Sequence, residues 1–489
     1  MRFEVFAPLD LGYSRHQHPF VGNLCLLDQS TAAWHVSDTA VEILRTQLPL
    51  IDEANRSAEP RPDVEVPQPE PVSFYFSTLD SSVVIVPVEA YDSSRRPKSM
   101  RLAIARQERE VRGYVTALDS RPVALPDLRP ATRPDTELIA RCAHIEGAPP
   151  GGTAASLVPW LLDRRLVTEP RLSTGAISMD AISFDEDVAY GRQPERGWTF
   201  LLWRGVGGGL EANLVHAERY DSDEQGLRIP TARGLRRKTV ALFGLGGIGA
   251  PIAHLLMQCR VSELRVVDHD TVSLGNAVRW PLGFALAGRL KTDAIRDFGA
   301  ANYPESKVIA FNWRIGASAL GGHRDELELL DAVLSGTDVL VDATAEPGIQ
   351  LLLANVARER GFLLVTAEGR EGGYGGLVAR YWPDHLGCYH CLKLHQRDGR
   401  FVLPRDSATG MTQPRGCSAP TFTGAPFDLL PIAARAAGVV ADAVCDQAET
   451  SNELSLFFAR DDDSGIAAAS PRWERHALVA HPECPTCRQ

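Results

Sequence analysis

The sequence has no uninterrupted apolar run near the roughly 20 residues that a membrane-crossing helix needs, so no membrane partner is expected. Its start, MRFEVFAPLD, has no apolar signal core and carries Glu4 and Asp10, which reads against a secretory leader and for a cytoplasmic protein. There is no basic excess either. The net charge is -11, and a phosphate footprint needs clustered Lys and Arg, so nucleic acid is not expected as a partner. No internal repeat and no long low-complexity tract is present. Nine cysteines in 489 residues are few. In a reducing compartment their spaced pairs point to metal or catalysis before disulfides.

What is present is an ordinary globular composition, 44% hydrophobic and 23% charged, in a chain long enough for two domains. Residues 1–205 read as an α+β domain of mixed short strands and helices. Strands are expected at 71–91 and in the run ending at Trp203, and proline-rich loops near 58–72 and 121–134. The Gly205–Gly209 run lacks a following Gly-Lys-Ser/Thr and reads as a turn or flexible linker. Residues 206–235, glycine-rich and then charged, read as the connection to a second domain, 236–489. There strands (KTVALFGLGG, ELRVVDHD, SKVIAFNW, TDVLVDATA, FLLVTAEG) alternate with helical patterns, which predicts a Rossmann-like, doubly wound, mostly parallel α/β sheet.

The first of those strands runs into Gly244-Leu-Gly246-Gly247-Ile-Gly249 and then a helix. Such glycines let backbone approach phosphate or ribose, and the helix start offers unpaired N–H groups. Asp268 ends the next strand, where an acidic residue takes ribose hydroxyls. This much suits a dinucleotide as well as ATP. The residues that follow, Asp270, Asn276, Arg279 and Lys291, favour ATP, because a triphosphate needs cations to neutralise it and its departing pyrophosphate.

This string resembles the ThiF, MoeB and ubiquitin-activating enzymes, the closest type being a bacterial ubiquitin-activating-like enzyme. The resemblance covers about the last 250 residues and implies that Asp268 holds the ribose while Asn276, Arg279 and Lys291 hold the phosphates. Arg279 and Lys291 would act catalytically. Two positions depart from the family pattern. Trp280 stands where a glutamine is usual, and Ala345, in Asp342-Ala-Thr344-Ala345-Glu346, stands where an aspartate helps hold Mg²⁺. Either Asp342 or Glu346 takes over that ion, or nucleotide and water hold it. A degenerate copy that only binds a partner is the competing reading.

Cys388-Tyr-His-Cys391 and Cys484-Pro-Thr-Cys487 are two Cys-x-x-Cys pairs, suited to a closed tetrahedral zinc site, and the family carries the same pairs. A redox role is disfavoured because neither pair opens a helix of a thioredoxin-like unit, and His390 is expected to face solvent rather than act as a ligand. Cys417, in a loop beside Arg415, has the setting of a partly ionised nucleophile. Its place between the zinc pairs resembles that of the family's thioester-forming cysteine. Cys259 and Cys445 read as core; Cys25 and Cys142 are unassigned.

The resemblance implies ATP-dependent adenylation of the C-terminal carboxylate of a ubiquitin-like protein ending in glycine, thioester formation on Cys417, and hand-off to a conjugating-type enzyme. Alternatives are activation of a sulfur-carrier protein or of a ribosomal peptide. The implied assembly is a homodimer, or a pseudo-dimer in which residues 1–205 are an inactive adenylation-like half. Arg228 and Arg233 are candidates to reach the other domain's phosphates.

Overall fold

The computed structural model describes residues 5, 17–18, 20–24, 37–56, 72–107, 110–123, 136–146, 149–186, 195–316, 326–407, 410–413, 421–444, 451–460 and 471–487. Cys25, Arg415, Cys417, Cys445 and most of the proline-rich loops lie outside the described residues. Two compact units, 1–222 and 223–489, divide the chain.

In the first unit, strands send alternate residues to opposite faces of one sheet. They are β1 (Thr78–Pro87), β2 (Ser99–Gln107), β3 (Glu110–Leu118), the two-residue β4 (Arg121–Pro122), β5 (Thr136–Ile145), β6 (Ile177–Glu186), β7 (Glu195–Val206) and β8 (Gly209–Tyr220). The sheet order is β1-β8-β7-β6-β5-β2-β3-β4, and β1 also pairs with β3, so seven strands close into a ring. Met100, Leu102 and Ile104 of β2, Val111 and Val115 of β3, and Trp198, Phe200 and Leu202 of β7 fill one core. Gly113 is needed there: a Cβ on it would lie 2.4 Å from Ile104 Cδ1. The intervening Leu201 and Trp203 face a second core under helix α2 (Ala154–Asp163), to which Leu157 and Leu161 contribute. Helix α1 (Ala40–Arg56) precedes the strands.

This corrects two expectations. Residues 1–205 are not an inactive adenylation-like half, because a closed, largely antiparallel ring has no doubly wound parallel sheet. Nor is 206–235 a linker. Gly207 and Gly208, with φ of 51° and 87°, make the tight turn of a β7–β8 hairpin. Strand β8 then fills 209–220, and α3 (Ser222–Leu227) and a 3₁₀ turn (Pro230–Arg237) lead into the second unit.

The second unit has strands β9 (Thr239–Phe243), β10 (Glu263–Asp268), β11 (Lys307–Asn312), β12 (Val339–Asp342), β13 (Leu363–Gly369), β14 (Gly375–Tyr381), β17 (Glu453–Phe458) and β18 (Arg472–Ala477). A separate two-residue pair, β15 (Met411–Thr412) and β16 (Thr421–Phe422), lies between β14 and β17 in the chain. The sheet order is β11-β10-β9-β12-β13-β14-β17-β18, parallel through β13 and antiparallel after it. The near-continuous apolar runs of β9 and β12 follow from burial on both faces. Helices α4 (Gly249–Gln258), α5 (Lys291–Asn302) and α9 (Pro426–Ala443) share one core. Helices α6 (Glu326–Leu334), α7 (Pro347–Arg360) and α8 (Tyr389–Arg397) share the other. The chain leaves β9 toward β10 and β11 and returns to β12 on the opposite side. The crevice beyond the ends of β9 and β12 is therefore the switch point where doubly wound sheets bind ligands.

Candidate active site

The glycine loop occupies that crevice, and its glycines answer to different needs. Gly244 has φ +85°, and a Cβ there would meet Ala343 O at 2.8 Å; a Cβ on Gly249 would lie 1.9 Å from Gly244 O. These two let β9, β12 and α4 come together. A Cβ on Gly246 would meet nothing within 4 Å, so that side of the loop is open. Helix α4 starts at Gly249 with no side-chain cap; Ala250 N–H is bonded to Gly246 O, Ile252 N–H to Ile248 O, and Pro251 has none.

Asp268, at the end of β10, accepts hydrogen bonds from the backbone N–H of Leu245 (2.6 Å) and of Asp270 (2.8 Å), tying the loop to the neighbouring strand. Between β10 and α5, backbone bonds from Val272 to Arg289 and from Gly288 to Val272 close a loop at its base. Within it Asn276 accepts from Ser273 Oγ at 2.9 Å and stays half-buried. Arg279 lies against the glycine loop: a Cβ on Gly247 would be 3.6 Å from Arg279 Cδ. Its guanidinium donates to the carbonyl of Phe422 and sits 5.6 Å from that ring's centre. Lys291 is buried at the first position of α5, and its ammonium is 2.8 Å from Asp270 Oδ2. Burial raises the Asp270 pKa, but the hydrogen bond and charge of Lys291 outweigh this and hold it below its ordinary value. The structure thus gathers Gly244, Gly246, Gly247, Gly249, Asp268, Asp270, Arg279 and Lys291 about one opening. Arg228 and Arg233 are exposed shortly before β9. A glycine loop open at Gly246, with one buried and one half-buried cation on this segment of the fold, fits a polyphosphate.

Sequence reasoning missed Trp280, which is 4% exposed and donates from Nε1 to Leu245 O at 2.9 Å. It noted only that the residue departs from the family pattern; its carbonyl partner lies 35 residues away and left no local signal. Phe422 was missed as well.

Asp342 sits beneath the opening rather than in it. It is fully buried; Oδ1 accepts from Thr344 N (2.9 Å) and Thr344 Oγ1 (2.7 Å), and Oδ2 has no partner. Ala345 offers no ligand atom, and Glu346 is exposed. These residues do not make a protein cage for Mg²⁺, so an ion arriving with nucleotide would rely on phosphate and water.

Burial pushes the Asp342 carboxyl up to about 6; the Thr344 bonds oppose this and the Glu368 charge adds to it. The folded value exceeds the unfolded one, so the protonated form favours the fold at acidic pH and that contribution is lost as pH rises through 6. Relative to Asp342→Asn, the wild type is expected to lose up to about 3 kcal/mol between about pH 4 and about pH 7. Urea unfolding of both proteins at the two pH values checks this, and a pH-independent difference would contradict it.

The four cysteines of the two pairs have their sulfurs within 4.8 Å of one another, with Cys388 Sγ 3.9 Å from Cys391 Sγ and 3.6 Å from Cys484 Sγ. Tetrahedral zinc with bonds of about 2.3 Å sets its sulfurs about 3.8 Å apart, so the set fits that ion. Burial raises the Cys388 and Cys391 thiols, Cys391 to about 11. For Cys487 burial is outweighed by backbone N–H groups of Cys388 and Gly387, which hold it at about 7. A divalent cation is what lets four crowded sulfurs ionise together. His481 N–H donates to Cys391 Sγ at 3.2 Å, the kind of outer hydrogen bond that orients a ligand. The first pair lies at a helix start, Cys388 being the N-cap of α8. The second pair closing on it still makes a four-sulfur site. His390 is half-buried and bonded to Thr486 rather than facing solvent, and no ligand atom of it joins the cluster. Cys259 packs partly buried at the end of α4, and Cys142 lies partly buried in β5.

Among the described residues no helix is long and apolar enough to cross a membrane. An uncharacterized protein of Sinorhizobium fredii, y4oA, is 30% identical over 99% of this chain and 87% of its own length. The yeast adenylyltransferase and sulfurtransferase UBA4 (Saccharomyces cerevisiae) is 27% identical over 32% of this chain and 34% of its own. The ubiquitin-like modifier-activating enzyme ATG7 of Kluyveromyces lactis is 27% identical over 36% and 29%. Among solved structures, Escherichia coli MccB with ATP matches at a TM-score of 0.37 and 18% identity, covering 53% of this chain and 69% of that one. The ThiF family pattern matches residues 223–448, a span that holds the glycine loop, Asp268, Arg279 and Lys291, and the chain therefore contains a ThiF family domain.

Proposed function

We propose that the chain uses ATP to adenylate a C-terminal carboxylate, with a ubiquitin-like protein ending in glycine as substrate, and then carries the acyl group on Cys417 toward a conjugating-type enzyme. The observation that carries the reading is the convergence of an open glycine loop, half-buried Arg279 and buried Lys291 at the switch point. The substrate carboxylate is already ionised near neutral pH, so no general base is needed. One carboxylate oxygen bonds to the α-phosphorus while the bond to the bridging oxygen breaks, and pyrophosphate leaves with that electron pair. Arg279 and Lys291 stabilise the charge that leaves. Magnesium would enter with the nucleotide and neutralise phosphate charge.

The second step rests on tethering. Strand β16 ends at Phe422, whose carbonyl meets Arg279, and β15 pairs with β16, so both ends of the intervening segment are anchored beside the glycine loop. Cys417 is five residues from Phe422, a contour of at most about 17 Å. The thiolate would attack the carbonyl carbon of the adenylate, expelling AMP and leaving a thioester. With ATP and a carrier ending in glycine, Cys417→Ala is expected to form adenylate but no adduct cleavable by thiol reductant, whereas the wild type forms both. Intact-mass analysis decides. A sulfur carrier or peptide that is adenylated equally by both variants, with no adduct on either, would replace the thioester reading by the simpler one. A second copy of the chain is a further proposed partner, with Arg228 or Arg233 reaching its phosphates; a monomer by light scattering would remove that part.

A further inference from the structure

We propose that Trp280 is a positioning residue for the nucleotide's phosphates, acting through the Leu245–Gly246 peptide of the glycine loop. This rests on the adenylating reading above. Leu245 is held from both sides. Its N–H donates to Asp268 Oδ2 at 2.6 Å, and its carbonyl accepts from Trp280 Nε1 at 2.9 Å. One residue earlier, Gly244 N–H donates to Val267 O at 2.9 Å, so the loop is fastened to β10 just before it turns.

A trans peptide is planar, and its C=O and N–H point in opposite directions. Trp280 and Leu245 belong to the same buried core, so the Leu245 carbonyl is turned inward. The N–H of Gly246, in that same peptide unit, is thereby turned outward. The loop is uncovered at this residue, where a Cβ on Gly246 would meet nothing within 4 Å. None of the loop's backbone hydrogen bonds uses the N–H of Gly246 or Gly247. These donors are available to a phosphate oxygen, and Trp280 fixes their direction before the nucleotide arrives. The indole is suited to this because its one donor sits on a rigid ring. The surrounding core holds that ring: Trp280 is 4% exposed and packs with Val272, Ile295 and α4. It follows Arg279 directly in the chain, so one short segment sets both the cation and the backbone donors.

The test is Trp280→Phe, which keeps an aromatic ring in the core and deletes the donor. Two readouts are used on the full-length protein. Hydrogen exchange should show amides of 244–249 exchanging at least about tenfold faster, with β12 and β13 unchanged. Titration with ATP and magnesium should show a dissociation constant raised about tenfold, the loss expected when a buried carbonyl loses its partner. Wild-type exchange and affinity in the variant would overturn the proposal. So would a general rise in exchange across β12 and β13, which would mark Trp280 as packing alone. If the wild type itself shows no ATP binding while the variant still loses protection at 244–249, the adenylating reading fails and the loop clamp stands.

Discussion

Lys291→Ala should lower carboxylate-dependent ATP–pyrophosphate exchange by at least about a thousandfold while the protein stays folded. The position of this lysine is costly for structure alone. It is buried, and it places a positive charge at the first position of α5, where the helix dipole disfavours one. Its salt-bridge partner among the described residues, Asp270, is half-exposed. A cation kept there against both penalties is one whose full partner arrives from outside. Lys291→Met retains the aliphatic stem and should lose exchange just as completely, which separates charge from packing. Near-wild-type exchange in either variant would remove Lys291 from the chemistry. Arg279→Ala should fall nearly as far, with an added loosening of the Phe422 contact.

Removing the metal should have the largest effect on stability. Four cysteine sulfurs, two of them on fully buried residues, would through a bound zinc hold the tail at 478–487 to the start of α8. Further bonds support the same junction: His481 to Asp398 at 2.8 Å, Arg397 to Glu483 at 2.7 Å and His395 to Val479 O at 3.1 Å. His481 and His395 are buried, but Asp398, Arg397 and Glu483 are largely exposed, and exposed pairs add little. Cys484→Ser is therefore expected to release about one zinc per chain and to cost several kcal/mol, lowering the melting midpoint by on the order of 10 °C. Metal analysis and calorimetry check it. A metal-free wild type of unchanged stability, or a Cys388–Cys484 disulfide in place of the ion, would contradict it.

How much of this was legible in the sequence depended on the kind of burial. Strands β9, β10, β12 and β13 are enclosed on both faces and read as apolar runs punctuated by glycine, so the parallel core and its loop could be placed from residues alone. The ring of the first unit was not legible. In β2 the inward Met100, Leu102 and Ile104 alternate with Arg101 and other outward residues, and no local feature tells strands that close on themselves from strands that lie open. Strand β8 was mistaken for linker because Glu211, Glu218 and Arg219 put charge on both of its faces and its inward Val215 and Ala217 are small. Strand β18, Arg472–Ala477, lacks any apolar stripe, and it is held to β17 by its backbone and by single side-chain contacts such as Trp473 on Phe457 and Arg475 to Glu453. At the site, residues acting through their own charge were found. Trp280 and Phe422, which act through backbone carbonyls, were not.

The closure of the first unit also bears on how it can hold anything. An extended peptide is often bound by strand addition, in which a free sheet edge lends its main-chain donors and acceptors. Strand β1 is bonded to β8 on one side and, over Val83–Ile85, to β3 on the other. Among the described residues the exposed rim left is β4, two residues long and ending in Pro122, which has no N–H to lend. The second unit, by contrast, keeps two true rims, β11 and β18. Among the described residues, the strand edges that could take up a tail by main-chain pairing therefore belong to the second unit.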